Sequence, residues 1–255
     1  MRRYTPVALT VAGSDSGGEA GIQADLMTFG AFKVHGTSVI TCVTAQNRKA
    51  VTRLEPCSPA MVRAQLEAVA GDFRLGAAKT GMLYSEAIVR EVAAFFRSMP
   101  RIPLIVDPVI ISTSGRRLLR HEGVNALERE LLPLATVVTP NVAEAEVLTG
   151  GKIATIEDLR HAARKIRESF GCAALVKGGH LSGTSEAVDI LCGDEGEWLF
   201  SAPRLRVTGL HGAGCAYSAA IAAGMARGKS LVRSVELGKN HVTRMIGTGD
   251  FPGAD

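Results

Sequence analysis

The chain has 255 residues, and 46% of them are hydrophobic, so it can bury a core as one α/β domain or two small ones without disulfides or metals. Its 29 basic and 25 acidic residues give a net charge of +4. With no run of five or more Lys and Arg and only 5% aromatic residues, it lacks a nucleic-acid surface but suits small anionic ligands.

Other residue patterns exclude further classes of protein. The five cysteines form no CxxC pair and the six histidines do not cluster, which predicts a reduced cytoplasmic protein without structural zinc. The N-terminus resembles a signal peptide, but its short apolar part runs into Asp15, which favours a strand followed by a functional loop. No apolar run approaches the roughly 20 residues needed to span a membrane.

In chain order, apolar runs of strand length alternate with helical patterns. Strands are predicted at 7–13, 36–44, 51–56, 77–80, 104–109, 136–139, 173–177 and 187–191, with later candidates at 197–200 and 205–208. Helices are predicted at 21–34, 58–73 with Ser58 as N-cap and Pro59 as first residue, 85–98, 124–132, 143–148, 155–169, 212–227 and 231–245.

The alternation of strands and helices defines the fold class. Continuous apolar strands such as LIVDPV and AALVKGG predict a mostly parallel sheet covered by helices on both faces, a three-layer α/β/α sandwich. No linker, charge break or repeat divides the chain, so residues 1–255 are predicted to form one domain. Ligands of such sheets bind beyond the carboxyl ends of the strands, where the segments GSDSGGEAG, AQN, DPV, TPNVAE and KGGH fall.

Two common nucleotide-binding motifs are not matched. In GSDSGG, Asp15 occupies the second glycine position of the dinucleotide fingerprint GxGxxG. The run AGMARGKS at 223–230 nearly matches a P-loop, but Ala223 replaces the leading glycine and the run follows a helix instead of a strand. Gly228 is interpreted as a helix C-cap and Ser230 as the next N-cap.

The most informative segment is GLHGAGCAYS at 209–218, which leads into an alanine-rich helix. A glycine-rich turn there exposes the N–H groups of Gly212, Ala213, Gly214 and Cys215, which have no partner within the helix. Such a turn can bind a phosphoryl group without a cationic side chain. An ordinary glycine-rich loop before a core helix is an alternative that this segment alone leaves open.

Seven ordered motifs resemble the hydroxymethylpyrimidine/phosphomethylpyrimidine kinases of the ribokinase-like superfamily. They are AGIQADL at 20–26, AQN at 45–47, KTGML at 79–83, DPV at 107–109, TPNVAE at 139–144, KGGH at 177–180 and HGAGC at 211–215. The resemblance implies phosphorylation of 4-amino-5-hydroxymethyl-2-methylpyrimidine and of its monophosphate in thiamine biosynthesis, with ATP and Mg²⁺. It also implies a ribokinase-like fold, a homodimer and a cytoplasmic location.

The resemblance implies a catalytic group formed by Cys215, Lys177 and the amides of Gly212, Ala213 and Gly214. Cys215 would lie beside the attacking hydroxyl, where a helix N-terminus is expected to lower the pKa of its thiol so that the thiolate accepts or orients the proton. Taken alone, a cysteine at the head of an alanine-rich helix is more often a small packed hydrophobic residue.

The resemblance also implies a nucleotide and metal site. Asn141, Glu144, Lys177 and Thr208 would contact the nucleotide, and Asp107 and Glu144 would hold Mg²⁺, which prefers oxygen ligands. Asn141 and Glu144 could instead simply cap a helix. Lys177 could be a solvated lysine on a turn.

For the acceptor substrate, the resemblance implies contacts with Gly13, Asp25, Gln46, Met82 and Val109. The amide of Gln46 offers both a donor and an acceptor, which an aminopyrimidine edge can pair with. Met82 and Val109 would cover the faces of the ring, although both could equally be core residues.

Three departures from the family pattern are Glu19, Leu210 and Ile110. Glu19 stands where glycine is common and brings a negative charge near a phosphate site, which puts the monophosphate substrate in question. Two alternatives remain open. One is a pyridoxal or pyridoxine kinase of the same fold, against which Gln46 argues. The other is a catalytically silent ligand-binding protein.

Overall fold

The computed structural model describes residues 5–111, 117–179, 181, 185–205 and 212–248. The described strands are β1 (Val7–Asp15), β2 (His35–Gln46), β3 (Val51–Pro56), β4 (Ala77–Thr80), β5 (Leu104–Val106), β6 (Val137–Val138), β7 (Ala173–Lys177), β8 (Glu186–Gly193) and β9 (Gly196–Pro203). They form one sheet in the order β3-β2-β1-β4-β5-β6-β7-β8-β9.

The centre of the sheet is parallel and its two edges are antiparallel. β1 lies between β2 and β4, and parallel pairing continues through β5, β6 and β7. β3 pairs antiparallel with β2, β8 with β7, and β9 with β8. Only two residues join β8 to β9, which allows a hairpin but not a parallel crossover. The predicted mostly parallel sheet is confirmed.

The described helices are α1 (Gly21–Ala31), α2 (Pro59–Asp72), α3 (Glu86–Ser98), α4 (His121–Ala126), α5 (Val142–Thr149), α6 (Ile156–Phe170), α7 (Ala213–Ala226) and α8 (Leu231–Thr248). The predicted cap of α2 is confirmed, since the side chain of Ser58 accepts the N–H of Met61 at 3.2 Å and Pro59 opens the helix. Among the described residues, no helix is both long and apolar enough to cross a membrane.

Helices cover both faces of the sheet because alternate strand residues point to opposite sides. On β1, Leu9 and Val11 belong to the core beneath α2 to α6, while Ala8 belongs to the core beneath α1, α7 and α8. Ile105 of β5 and Leu175 of β7 point to the same side as Ala8. These two cores give the predicted three layers.

Most predicted elements differ from the structure by one to three residues at an end, and two of these differences have a local cause. The strand predicted at 104–109 ends at Val106, since the chain then leaves the sheet and Val109 adopts a φ of 43°. The helix predicted at 124–132 begins at His121 and continues as a π-turn (Leu127–Leu131) and a 3-10 turn (Leu132–Leu134). Pro133 has no N–H to continue an α-helix there. Of the strand predicted at 205–208, only Leu205 lies within the described residues.

Candidate active site

A cavity of about 200 Å³ opens at the carboxyl ends of the parallel strands. It brings together most of the residues that the sequence singled out, from six strand ends and the start of α7. Those that line it are Gly13, Gln46, Met82, Asp107, Val109, Asn141, Glu144, Lys177, Gly212, Gly214 and Cys215. Cys215 and its turn, the pair Asn141 and Glu144, and Gln46 therefore line one cavity, as the sequence predicts.

The glycine-rich turn forms one wall of the cavity. Gly212 is the N-cap of α7 with a φ of 80°, and a Cβ on it would lie 1.8 Å from the carbonyl oxygen of Glu19, so only glycine fits. The first helical bond runs from the N–H of Ala216 to the carbonyl of Gly212, and no side chain caps this described helix start. Among the described residues, the amides of the turn before Ala216 have no helical or side-chain partner, so they are available to an anion. Of the four predicted amide donors at 212–215, all of them described, Ala213 does not line the cavity.

Cys215 is half-buried at the cavity wall, and the backbone N–H of Gly21 donates a hydrogen bond to its sulfur. Gly21 begins α1 at a φ of 58°, and a Cβ on it would lie 2.3 Å from the carbonyl oxygen of Gly13. The starts of α1 and α7 thus meet at this sulfur.

The predicted lowering of the thiol pKa is wrong for this structure. Burial raises the pKa of Cys215 from 9.0 to about 11, the positive charge of Lys79 opposes this rise, and Asp25 and Asp107 add to it. Desolvation outweighs the helix N-terminus because the sulfur lies between several elements and not at an exposed helix end. The thiol is therefore neutral at ordinary pH.

Lys177 ends β7 and is not a solvated lysine. Its Nζ lies 3.2 Å from Oδ1 of Asp107, and its side chain is 12% exposed. Burial acts to lower the pKa of Lys177, but the charges of Asp107 and Glu144 outweigh burial, so the pKa is raised and the ammonium persists. The Nζ also lies 3.4 Å from the place that a Cβ on Gly214 would take, so it adjoins the amides of the turn.

Asn141 and Glu144 cap α5, as one of the two interpretations of this pair predicts. The side chain of Asn141 accepts the N–H of Glu144 at 3.0 Å, and Glu144 accepts the N–H of Asn141 at 3.0 Å in return. The other carboxylate oxygen of Glu144 accepts the N–H of Ile110 at 3.1 Å. The two residues that cap α5 therefore also line the cavity. Through its bond from Ile110, Glu144 connects α5 to the segment after β5.

The fit of a divalent cation depends on Asp107 and Glu144. Burial, followed by the charge of Asp107, raises the pKa of Glu144 to about 7, so the two carboxylates repel each other across the cavity. Among the described residues, no cluster of three or more His, Cys, Asp and Glu side chains could hold a metal by itself. Two carboxylates fit Mg²⁺ only when phosphate oxygens and water complete its shell, which is its usual mode of binding.

The acceptor side of the cavity is built around Gln46, the last residue of β2. Ser16 fixes its backbone, because Oγ of Ser16 donates to the carbonyl of Gln46 at 2.7 Å and accepts its N–H at 2.8 Å. The side-chain oxygen of Gln46 accepts only a long bond of 3.4 Å, from Thr44, among the described residues. The amide edge is therefore available to a ligand. Met82 and Val109 line this part of the cavity as predicted.

Asp25 does not contact the cavity, contrary to its predicted role in binding the acceptor. It is fully buried on α1, where its carboxylate accepts from Lys79 and from Thr10. Thr208 lies outside the described residues. Two residues that organise the site, Lys79 and Asp15, stand in segments that the sequence singled out but were given no role there. The signal for Lys79 is a lysine within the otherwise uncharged strand AAKT.

Asp15 and Glu19 fold the β1–α1 loop against the cavity. The carboxylate of Asp15 accepts the N–H groups of Gly17, Glu19 and Ala20 at 2.8, 3.2 and 2.9 Å. Glu19 is 9% exposed, and its Oε1 pairs with Nε of Arg48 at 2.5 Å. The negative charge that put a phosphate-bearing substrate in question is therefore matched by a positive one from the loop after β2.

Comparison with known proteins places this site in context. The family model described as "Phosphomethylpyrimidine kinase" matches residues 15–254. The chain is 46% identical over 249 residues to the hydroxymethylpyrimidine/phosphomethylpyrimidine kinase of Rhizobium meliloti, covering 96% of this chain and 92% of that one. It is 41% identical to the thiamine biosynthesis bifunctional protein of Geobacter sulfurreducens, covering 93% of this chain and 48% of that one.

The fold is also similar to that of a solved kinase structure. The pyridoxal kinase from Staphylococcus aureus in complex with ADP has a TM-score of 0.88 and 31% sequence identity, covering 97% of this chain and 92% of that one. The backbone arrangement is therefore shared by kinases that differ in the ring they phosphorylate, and the side chains lining the cavity must make the distinction.

Proposed function

The chain belongs to the phosphomethylpyrimidine kinase family, and we propose that it catalyses both phosphorylations of the pyrimidine precursor of thiamine in the cavity lined by Cys215 and Gln46. It is an ATP-dependent kinase of ribokinase-like fold. Its acceptors are 4-amino-5-hydroxymethyl-2-methylpyrimidine and the monophosphate of that alcohol. The observation that carries the proposal is the single cavity joining the α7 amides, Lys177 and the free amide edge of Gln46.

In the first reaction, the hydroxymethyl oxygen forms a bond to the γ-phosphorus of ATP, and the bond from that phosphorus to the β–γ bridging oxygen breaks. ADP leaves, and the hydroxyl proton passes to solvent or to the transferred phosphate. Phosphoryl transfer needs mainly positioning and charge stabilisation. We assign the charge stabilisation to the amides of Gly214 and Cys215 and to Lys177, which adjoins them.

Cys215 is assigned the task of orienting the acceptor hydroxyl. With a pKa of about 11, its thiol is neutral at ordinary pH and can donate or accept a weak hydrogen bond without first removing a proton. Gln46 holds the ring by its amide edge, and Met82 and Val109 supply apolar contacts. In the second reaction the same groups hold the monophosphate, whose phosphate oxygen is the acceptor.

Mg²⁺ is proposed as the metal, with Asp107 and Glu144 as the residues that would hold it. When bound, it would neutralise charge on the phosphates. Lys177 and Ser218 keep Asp107 in place by donating to its two oxygens at 3.2 and 3.1 Å. From the family we also propose that the protein is a homodimer and is located in the cytoplasm. Residues 1–255 are proposed to form one kinase domain.

ADP release with Mg²⁺ and each acceptor separately, the alcohol and its monophosphate, tests the function. Turnover of both acceptors is expected, and a protein that binds the alcohol without releasing ADP would contradict the proposal and support a silent binding protein.

Replacing Gln46 tests the choice between a pyrimidine and a pyridine acceptor. Gln46→Met removes the paired donor and acceptor, so kcat/KM for the pyrimidine alcohol should fall by about 100-fold or more. The value for pyridoxal should fall far less or rise. Gln46→Glu, which keeps the shape but loses the donor, serves as the matched variant. An equal loss for both acceptors in Gln46→Met would place Gln46 outside ring recognition.

Replacing Arg48 tests how Glu19 affects the phosphorylated acceptor. Arg48→Ala leaves the carboxylate of Glu19 without this partner, so KM for the monophosphate should rise about fivefold, as like-charge repulsion of about 1 kcal/mol requires. KM for the uncharged alcohol should change by less than about twofold. The double variant Glu19→Gln/Arg48→Ala should restore the monophosphate KM. A rise of the same size for both acceptors would contradict this account.

A further inference from the structure

Lys79 is a fully buried charged residue at the end of the otherwise apolar centre of the sheet. Its Nζ lies 2.9 and 2.8 Å from the two carboxylate oxygens of Asp25, and Oγ1 of Thr10 donates to the same carboxylate at 2.6 Å. Both side chains of the ion pair are 0% exposed. Burial raises the pKa of Asp25, while the charge of Lys79 and the hydrogen bonds from Lys79 and Thr10 act to lower it. Since both Lys79 contacts to the carboxylate are short, we treat the two side chains as a buried ion pair.

Only one of the two residues of this ion pair lines the active-site cavity. Lys79 lines the cavity that contains Cys215, whereas Asp25 lies behind it on α1 and does not. The Nζ of Lys79 is 3.0 Å from the place that a Cβ on Gly81 would take, and Gly81 also lines the cavity. The positive residue of the pair is therefore the one that lines the cavity, with its side chain covered from solvent, and the negative residue does not line it.

Several charged groups act on the sulfur of Cys215. The charge of Lys79 on β4 acts to lower the pKa of the thiol, whereas the charges of Asp25 on α1 and Asp107 after β5 act to raise it. Lys177 on β7 also interacts electrostatically with Cys215. Burial acts to lower the pKa of Lys79, but the charges of Asp25 and Asp107 outweigh burial and raise it, so the ammonium persists. Lys79 is thus a permanent positive charge at the cavity that Cys215 also lines.

Stability alone does not account for this arrangement. Removing two charges from water costs free energy that their attraction only partly returns, and apolar pairs of similar volume are often as stable. A buried pair whose positive residue lines a reaction cavity supplies fixed charge where negative charge develops, which is the largest single contribution to many enzymatic rates.

We infer that Lys79 is a positioning residue of the kinase reaction, which orients Cys215 and supplies fixed positive charge to the cavity that Cys215 lines, while Asp25 and Thr10 hold the ammonium in place. The inference rests on the proposed function of this cavity. It assigns Asp25 an indirect task in place of the direct substrate contact that the sequence predicts.

The test removes both charges together, because Lys79→Met alone would leave Asp25 buried without its counter-charge and unfold the protein. In Lys79→Met/Asp25→Asn, kcat for the alcohol should fall by about 100-fold, with a smaller change in KM. The rate of Cys215 alkylation by iodoacetamide, followed by mass spectrometry of its peptide from about pH 6 to about pH 9, should fall at each pH by up to about tenfold, since the loss of Lys79 raises the pKa of the thiol more than the loss of Asp25 lowers it. Lys79→Gln/Asp25→Asn, which can keep a hydrogen bond between the two side chains, replaces this variant if it does not fold.

The matched control is Lys239→Met/Asp189→Asn. It removes another buried ion pair, with Nζ and Oδ2 2.7 Å apart, whose residues do not line the cavity. Its alkylation profile at Cys215 should equal that of the wild type. An unchanged alkylation profile in the Lys79 variant, or a shift equal to the control's, would overturn the inference. Because alkylation needs no substrate, it tests Lys79 even if the wild type fails to phosphorylate the pyrimidine, a result that would contradict only the proposed function.

Discussion

Replacing Cys215 with alanine is expected to lower kcat for the pyrimidine alcohol by about 1,000-fold while the Kd for ATP changes by less than about threefold. The sulfur lies in the cavity shared by the α7 amides and Gln46, so its loss leaves the acceptor oxygen without a fixed neighbour. The amides that bind phosphate belong to the backbone and stay in place. Steady-state kinetics and titration with a non-hydrolysable ATP analogue measure the two effects separately.

Two further variants sharpen this test. Cys215→Ser should retain activity between the wild type and Cys215→Ala, because a hydroxyl can make the same hydrogen bonds as a neutral thiol. Cys57→Ala, which removes another partly buried thiol outside the cavity, should behave as the wild type. Near-normal turnover in Cys215→Ala would remove the sulfur from the mechanism.

Replacing Gly212 with alanine should lower kcat by about 100-fold, as a displacement of about 1 Å at a reacting group does. The new Cβ would lie 1.8 Å from the carbonyl oxygen of Glu19, so the turn before α7 and the loop before α1 must separate. That separation moves the amides of α7 away from the phosphate and the N–H of Gly21 away from Cys215. Both acceptors should be affected alike.

Gly228→Ala provides the matched control for this experiment. Gly228 has a φ of 74°, close to the 80° of Gly212, but a Cβ there would have no atom within 4 Å. Both variants therefore carry the same cost of a left-handed alanine, about 1 kcal/mol, and should lose similar stability from that source. Only Gly212→Ala should lose activity. If the two variants lose kcat equally, the contact with Glu19 does not position the turn.

The sequence predicts the elements of this fold well where local signals agree. The strands at 77–80 and 173–177 have the same bounds in the structure, because short apolar runs there are followed by residues that leave the sheet. The cap at Ser58 is set by side chains a few residues apart. Since parallel strands share one carboxyl edge, the order of polar segments also predicts which residues meet.

The sequence does not predict how deeply each side chain is buried or which distant residues it contacts. Asp25 stands in a motif that implies substrate contact, but helix α1 turns it towards Lys79, a residue 54 positions away. The thiol of Cys215 heads a helix, which alone would lower its pKa, yet packing between α1 and the sheet raises it to about 11. Both outcomes depend on contacts between distant segments, which spacing along the chain does not encode.

The backbone of Val109 has a consequence for the stability of the whole protein. A β-branched residue at a φ of 43° stores about 1–2 kcal/mol of steric strain. The next residue, Ile110, holds the segment in place by donating its N–H to Glu144 and accepting the N–H of Leu118. These two hydrogen bonds keep Val109 in its strained conformation, so the backbone that carries this wall of the acceptor cavity is in place before any ring enters it.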